Sequence, residues 1–293
     1  MAGETGTNNL PVSSSSASLL KIIKSYGVRL DNRLGQNFLI DESYINKIVD
    51  ASSIKHNETI LEIGAGLGNL TLKIAEYAHR VVAVEIDKRF IPIIQQAISK
   101  FNNIELIQGD ILELDLGELI LGEYKVIANI PYYISSAVIR LLIESKYAPG
   151  IMVLTLQQEV AERICEKPGS FSLLALSVQI FGSPEIEFLI PAEAFYPEPE
   201  VDSAVISINK HVTPIVHQDL LPLLFRLAKA GFSQRRKTLR NSIAGGMRWS
   251  TGLTKKLLIS ADIEPSRRAE TLSIDEWARL SKIIKDSRDI PRN

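Results

Sequence analysis

The chain has little of what disulfide frameworks, metal centres and membrane spans require. Its 293 residues include one cysteine, Cys165, so no disulfide framework can form and a reducing compartment such as the cytoplasm is expected. The four histidines are scattered without metal-ligand spacing, so we expect no metal site. No apolar run approaches the ~20 residues that cross a bilayer, so we expect no membrane association. Residues 1–18 carry no Lys or Arg and therefore make a poor targeting signal.

Length and hydrophobic periodicity indicate two folded regions behind a polar tail. Residues 1–18 are rich in Ser, Thr, Asn and Gly, which predicts a flexible tail, and a helix is expected over 19–26. In residues 19–210, apolar runs of strand length alternate with helical patterns, which predicts an α/β domain with a parallel sheet. Prolines separate its last two strands, which predicts an antiparallel edge. Residues 211–293 show only helical periodicity and predict a small all-helical domain.

The formal net charge of −1 hides a segregated basic block. Between Asp219 and Asp262 the chain has no acidic residue but nine Lys and Arg residues. Such segregation is typical of a phosphate-binding surface, although a solvated helical face has the same composition. The candidate contacts are Arg235, Arg236, Lys237 and Arg240. If their segment is helical, Arg236 and Arg240 lie one turn apart on one face.

Glycines and carboxylates follow three successive predicted strands, where open α/β sheets bind ligands. The first strand ends in Glu62 and the glycine loop 64–68, the second ends in Glu85, and Asp110 follows the third. This pattern fits a nicotinamide cofactor or S-adenosylmethionine. Asn69 stands where a dinucleotide motif has its third glycine, and Glu62 disfavours a nearby pyrophosphate, so S-adenosylmethionine is favoured. Each acid taken singly is better explained as a helix cap or surface carboxylate, but all three at successive strand ends are much less expected by chance.

The fourth predicted strand ends in the tetrapeptide Asn129-Ile130-Pro131-Tyr132. An amide oxygen and a backbone carbonyl can accept both protons of an exocyclic amino group, and an aromatic ring can stack on a base. Asn-x-Pro is also an ordinary turn signal. The tetrapeptide therefore points to base recognition only in combination with the cofactor pattern that precedes it.

Together these motifs resemble the ribosomal RNA adenine N6-dimethyltransferase family. The resemblance extends to the segments LGQNFL (34–39), FYPEPEVDSAV (195–205) and FSQRRKTLRN (232–241), and it runs from about Leu34 to Leu280. The last two segments resemble the KsgA branch, which acts on small-subunit (16S) RNA, more than the erythromycin-resistance branch, which acts on large-subunit RNA. Residues 168–174 lack a tyrosine-glycine pair common in the family, so a target-side loop is expected to differ there.

The resemblance implies a Rossmann-like methyltransferase that uses S-adenosylmethionine to dimethylate N6 of adjacent adenosines near the 3′ end of 16S ribosomal RNA. Its partner would be the small ribosomal subunit, in whose biogenesis it would act as a monomer. The implied cofactor-binding residues are Asn37, Leu39, Gly64, Glu85, Asp110 and Asn129. The implied catalytic residues are Asn129, Ile130, Pro131, Tyr132 and Phe195. The basic residues 235–237 and 240 would grip the RNA backbone.

Our mechanistic hypothesis is that the Asn129 side-chain oxygen and the Ile130 carbonyl accept the two N6 protons and free the lone pair for in-line attack. Tyr132 and Phe195 would sandwich the base, although both are also plausible core residues. Two alternatives remain open, a large-subunit RNA methylase and a non-catalytic nucleic-acid-binding factor on the same fold. A nicotinamide dehydrogenase fits less well, because no histidine lies near a strand end to transfer a proton.

Overall fold

A seven-stranded sheet forms the centre of the computed structural model, which describes residues 35–287. The predicted tail, the helix over 19–26 and Leu34 lie outside the described residues. In chain order the strands are β1 (Phe38–Leu39), β2 (Thr59–Ile63), β3 (Arg80–Glu85), β4 (Ile104–Gln108), β5 (Tyr124–Asn129), β6 (Ile151–Gln157), β7 (Gly182–Ile190), β8 (Phe195–Tyr196) and β9 (Ser203–Lys210). The short strands β1 and β8 pair with each other, outside the main sheet.

The main sheet has the order β4-β3-β2-β5-β6-β9-β7. Strands β2 to β6 are parallel, whereas β9 runs antiparallel to both β6 and β7. The apolar runs of the central strands are buried on both faces, as parallel sheets covered by helices require. The predicted Rossmann-like α/β fold and its antiparallel edge are confirmed.

Helices cover both faces of this sheet and continue beyond it. Those of the first part are α1 (Glu42–Ser52), α2 (Asn69–Ala75), α3 (Ile91–Ala97), α4 (Leu116–Leu119), α5 (Ser135–Glu144), α6 (Gln158–Ile164) and α7 (Leu173–Phe181). After β9 follow α8 (Leu221–Phe232), α9 (Leu239–Met247), α10 (Thr251–Ser260) and α11 (Ile274–Asp286). The C-terminal part described is helical, as predicted. Within residues 35–287, no helix is long and apolar enough to cross a membrane.

Helix α7 was not predicted, because its sequence shows little helical periodicity. Its side chains are apolar on nearly every face, since the helix packs between two cores. Val178 belongs to the core of the sheet, whereas Leu176 and Ile180 belong to the core of the C-terminal helices. The predicted domain boundary at residue 211 stays a prediction, but the C-terminal core draws residues from before that position.

The C-terminal helices pack around the fully buried Trp277, and α8 lies close to α9. The contact is close enough that a Cβ atom on Gly246 would lie 2.5 Å from Ala230 Cβ and 2.8 Å from Ala230 Cα. On the preceding residue, Gly245, a Cβ atom would meet nothing within 4 Å. Alanine substitutions at these two positions therefore distinguish the effect of helix propensity from the effect of packing between α8 and α9.

We expect Gly246→Ala to lower the free energy of unfolding by about 1–3 kcal/mol, because α8 and α9 must move apart. Gly245→Ala, the matched control, should be neutral or stabilising by up to about 1 kcal/mol, because alanine is the better helix former. Chemical denaturation of both variants provides the measurement. Equal stabilities of the two would contradict the close packing of α8 on α9.

Candidate active site at the carboxyl ends of the strands

The glycine loop after β2 turns sharply and passes close to neighbouring chain segments. Gly64 and Gly66 have φ angles of 79° and 58°, a region that side chains with a Cβ atom rarely occupy. A Cβ atom on Gly66 would lie 3.0 Å from Phe38 Cε1, and one on Gly64 would lie 3.5 Å from the Asn129 carbonyl oxygen. The loop therefore brings the ends of β1, β2 and β5 together.

A cavity of about 170 Å³ opens where these segments meet. Every residue predicted to bind the cofactor lines it, namely Asn37, Leu39, Gly64, Glu85, Asp110 and Asn129. Ile111, which the resemblance places beside the cofactor ring, also lines it and is buried. The structure thus collects in one cavity residues that are up to 92 positions apart in the chain.

Glu85 is 6% exposed and holds two backbone N–H groups. Its Oε2 accepts from Gly66 N at 2.7 Å, and its Oε1 accepts from Asp87 N at 2.8 Å. Burial raises the pKa of this carboxyl, and the two N–H bonds oppose that rise. Because a carboxylate has about four acceptor positions, Glu85 can still accept from a ligand in the cavity.

Glu62 is a second buried carboxyl in the same cavity, 1% exposed. Burial is the main cause that raises the pKa of Glu62 to about 8; the nearby Thr71 hydroxyl lowers it, and the charge of Glu85 adds to the rise. Its Oε2 has no hydrogen-bond partner among the described residues. A carboxyl in this state provides an acceptor for a cationic group entering the cavity.

Residues 35–40 form a strap along the cavity, held by hydrogen bonds with the side chains of Asn129, Asn69 and Asp87. The Asn129 side-chain amide donates to the Asn37 carbonyl at 3.3 Å, and the Asn69 amide donates to the Leu39 carbonyl at 3.4 Å. Gln36 donates to Asp87 Oδ2 at 2.7 Å. The pairing of β1 with β8 holds the far end of the strap.

The tetrapeptide at the end of β5 has two residues in the cavity wall and one side chain turned to β9. Asn129 and Pro131 line the cavity. Because the Asn129 nitrogen donates to the strap, its oxygen is left as an acceptor. Ile130 is buried, and its carbonyl accepts no hydrogen bond within the described part of the chain. Tyr132 is half-buried, and its hydroxyl is 2.7 Å from Ser203 Oγ, which fixes the ring.

Two aromatic residues are placed differently from the sequence-based expectation. Phe195 is 3% exposed and packs in a core beside Ile190 and Ala194, so in this structure it does not face the cavity. Its base-stacking role stays a prediction. Tyr133, which sequence reasoning passed over, is 57% exposed and lines the cavity, where its ring covers Gly35. Tyr133 directly follows the tetrapeptide in the sequence, and this position could have indicated a place at the site.

The basic residues of the candidate RNA surface lie on a turn rather than a helix. Helix α8 ends at Phe232 and α9 begins at Leu239, so residues 235–237 occupy the connection and Arg240 lies in the first turn of α9. All four side chains are exposed. The single helical face considered from the sequence is therefore wrong for this segment, whereas the exposed cluster of charge is present.

Comparison with known proteins identifies the family. A family model described as ribosomal RNA adenine dimethylase matches residues 27–286. The chain belongs to this family. Curated relatives called ribosomal RNA small subunit methyltransferase A, from Dehalococcoides mccartyi strain CBDB1 and Enterococcus faecalis, are 42% and 37% identical. The matches cover 90% and 92% of this chain and 91% and 95% of the relatives. The resemblance inferred from the motifs is confirmed.

Two solved methyltransferase structures have the same fold as this chain. A dimethyladenosine transferase from Plasmodium falciparum has a TM-score of 0.70 at 25% identity, over 82% of this chain and 94% of that chain. The 23S rRNA methyltransferase ErmE has a TM-score of 0.68 at 23% identity, over 85% of this chain and 100% of that chain. ErmE shares the fold, whereas the small-subunit relatives share far more of the sequence.

The raised pKa of Glu62 predicts a pH-dependent stability. Between pH about 4.5 and 8 the folded protein keeps the Glu62 proton and the unfolded chain loses it, so the stability of the ligand-free protein falls as pH rises. Glu62→Gln removes this dependence and should be more stable than the wild type by on the order of 4 kcal/mol near pH 8. Thermal unfolding from pH 5 to 8 measures the difference.

The exposed Glu123→Gln provides the matched control, since it makes the same chemical change on the surface. It should follow the wild-type pH profile. Parallel profiles for the wild type and Glu62→Gln would show that Glu62 is not protonated in the folded protein.

Proposed function

We propose that the protein transfers methyl groups from S-adenosylmethionine to N6 of adjacent adenines near the 3′ end of small-subunit ribosomal RNA. The observation that carries this proposal is the shared cavity of the glycine loop, Glu62, Glu85, Asp110 and Asn129. The identity of 37–42% to small-subunit methyltransferases over about nine-tenths of the chain favours the small over the large subunit.

The cavity suits S-adenosylmethionine because its polar groups match that molecule from end to end. Glu85 can accept from the ribose hydroxyls while it holds the loop through Gly66. Asp110 has one oxygen bonded to Leu112 N and a second available to an adenine amino group. Glu62, buried with an unpartnered oxygen, can accept from the methionine ammonium. When bound, the cofactor supplies an activated methyl group on a sulfonium.

The protein's contribution to transfer is the alignment and electronic state of the target nitrogen. Adenine N6 is a weak nucleophile, since its lone pair is delocalised into the ring. The Asn129 oxygen and the Ile130 carbonyl are both unused hydrogen-bond acceptors. Together they can accept hydrogen bonds from the two N6–H groups, which localises the lone pair on N6. Pro131 fixes the turn that aims the carbonyl, and the proton is lost to water after transfer.

The Tyr132 hydroxyl bond to Ser203 holds the ring that stacks on the extruded base. Residues 235–237 and Arg240 supply exposed positive charge for the RNA backbone. In the second methylation the target nitrogen has only one N–H, so one of the two acceptors suffices.

The function is tested by incubating the protein and labelled cofactor with unmethylated small subunits and, separately, with large subunits. We expect label in the small-subunit RNA, recovered as N6,N6-dimethyladenosine after digestion. Label confined to the large subunit would instead favour the resistance-type activity, and absence of label from both would favour a binding factor.

Asn129→Ala should lower turnover by at least about 100-fold, because it removes an acceptor used in the transition state. Asn69→Ala is the matched comparison, since both amides anchor the strap but only Asn129 lies in the tetrapeptide. We expect Asn69→Ala to weaken cofactor affinity more than turnover at saturating cofactor. Titration calorimetry and single-turnover rates separate the two effects; near-normal turnover by Asn129→Ala would refute the mechanism.

Tyr132→Ala should cost about 1–3 kcal/mol of target binding, the usual value for a lost base-aromatic stack. Tyr132→Phe keeps the ring and loses only the bond to Ser203, so we expect a loss of a few-fold. The measurement is kcat/KM on small subunits. If the two variants are equally impaired, the hydroxyl and not the ring is what matters at this position.

A further inference from the structure

A second opening, which we call the rear groove, lies between α5, α7 and α8 and has a volume of about 590 Å³. Its cationic and aromatic lining residues are Arg140, Phe181, Phe225, Arg226 and Lys229. None of them lines the cavity at the carboxyl ends of the strands. The rear groove is therefore a separate feature of the surface.

The rear groove lies at the amino ends of the parallel strands, whereas the active-site cavity lies at their carboxyl ends. Phe181 directly precedes β7, and its carbonyl accepts from His211 N at 2.8 Å, just after the end of β9. Lys210 N in turn donates to the carbonyl of Gly150, which directly precedes β6. These bonds place Phe181 at the amino ends of the parallel strands. A polymer in the rear groove must therefore use a different segment from the one in the active site.

The chemistry of the rear groove suits unpaired RNA. Phe181 and Phe225 are half-buried, and their rings are almost parallel, with 10° between planes and 6.3 Å between centroids. Arg226 and Lys229 are exposed, three residues apart on one face of α8, and neither forms an ion pair with another described residue. Aromatic faces beside free cations are the combination that holds a base and its phosphate.

The charge of the rear groove is positive on balance. Its one acidic lining residue, Glu144, lies 3.7 Å from Arg140 and so is already paired. The chain from 220 to 261, which includes all of α8, has no acidic residue. An anionic polymer is therefore attracted along the whole α8 side of the rear groove.

We propose that the rear groove binds a segment of small-subunit ribosomal RNA remote from the methylated adenines, with phosphates on Arg226 and Lys229 and an unstacked base on the phenylalanine floor. This inference rests on the proposed function and adds a second RNA contact to it. The contact increases affinity for the whole substrate and leaves the chemistry at the active site unchanged.

The test compares Arg226→Gln/Lys229→Gln with the control Lys255→Gln/Lys256→Gln, which removes two exposed charges from α10, outside the rear groove. Binding to naked small-subunit RNA is measured at several salt concentrations. We expect the rear-groove variant to bind about tenfold more weakly, with a log-log salt slope smaller by about 1.4–1.8, the contribution of two phosphate contacts. Cofactor affinity and unfolding temperature should match the wild type.

Three results would overturn the inference. These are wild-type affinity of the rear-groove variant, an equal loss in both variants, and a loss of binding to intact subunits without a loss on naked RNA. The second result would assign the effect to the general charge of the helical region, and the third would assign the rear groove to a ribosomal protein. If the wild-type protein transfers no methyl group to small subunits, the proposed function fails instead, so the two failures are distinguishable.

Discussion

Two carboxyl groups buried in one cavity constrain the rest of this structure. Glu62 and Glu85 are both almost inaccessible to solvent, and the charge of Glu85 adds to the burial that disfavours ionisation of Glu62. The fold accommodates Glu85 by giving it the N–H groups of Gly66 and Asp87, which also sets the conformation of the glycine loop. Glu62 has no comparable pair of N–H donors among the described residues, and burial raises its pKa to about 8. A cavity in this state is suited to a ligand that brings its own positive charge.

The strap over the cavity links cofactor and target chemistry through a single side chain. Asn129 binds the strap with its nitrogen, and in the proposed mechanism its oxygen accepts from the target base. In that mechanism, loss of the bond to the strap would free the amide to rotate and remove the orientation that N6 needs. The bonds from Asn69 to Leu39 and from Gln36 to Asp87 hold the same strap, so the strap does not depend on Asn129 alone.

The positions of the strand ends could be predicted from the sequence. The strands are apolar runs, and glycines, carboxylates or an amide mark the point where each run ends. The runs ending in Glu62, Glu85 and Asn129 could be placed without coordinates, and parallel topology then required their ends to meet. Helix α7 could not be found in this way, since a helix shared by two cores has no polar face to reveal its period.

The placement of Phe195 and of the basic turn depended on tertiary context. The pairing of Phe195 with Leu39 in β8 and β1 joins residues 156 positions apart, and no local pattern specifies such a pair. Residues 233–238 have ordinary helix formers among them, and only the packing of α8 against α9 requires the chain to turn there. The residue types of the site were therefore predictable, whereas the orientation of several side chains was not.

Helix α7 packs in both hydrophobic cores, that of the sheet and that of the C-terminal helices. Its side chains fill both the core of the sheet and the core around Trp277, so the C-terminal helices cannot shift without disturbing the sheet that positions Asn129 and Tyr132. The backbone bonds from Gly169 and Phe171 to the Glu270 carbonyl reinforce this connection. RNA bound to the C-terminal helices as we propose would therefore be held in a fixed relation to the tetrapeptide. Because the mechanism we propose consists mainly of alignment, it requires that rigid connection as much as the acceptors themselves.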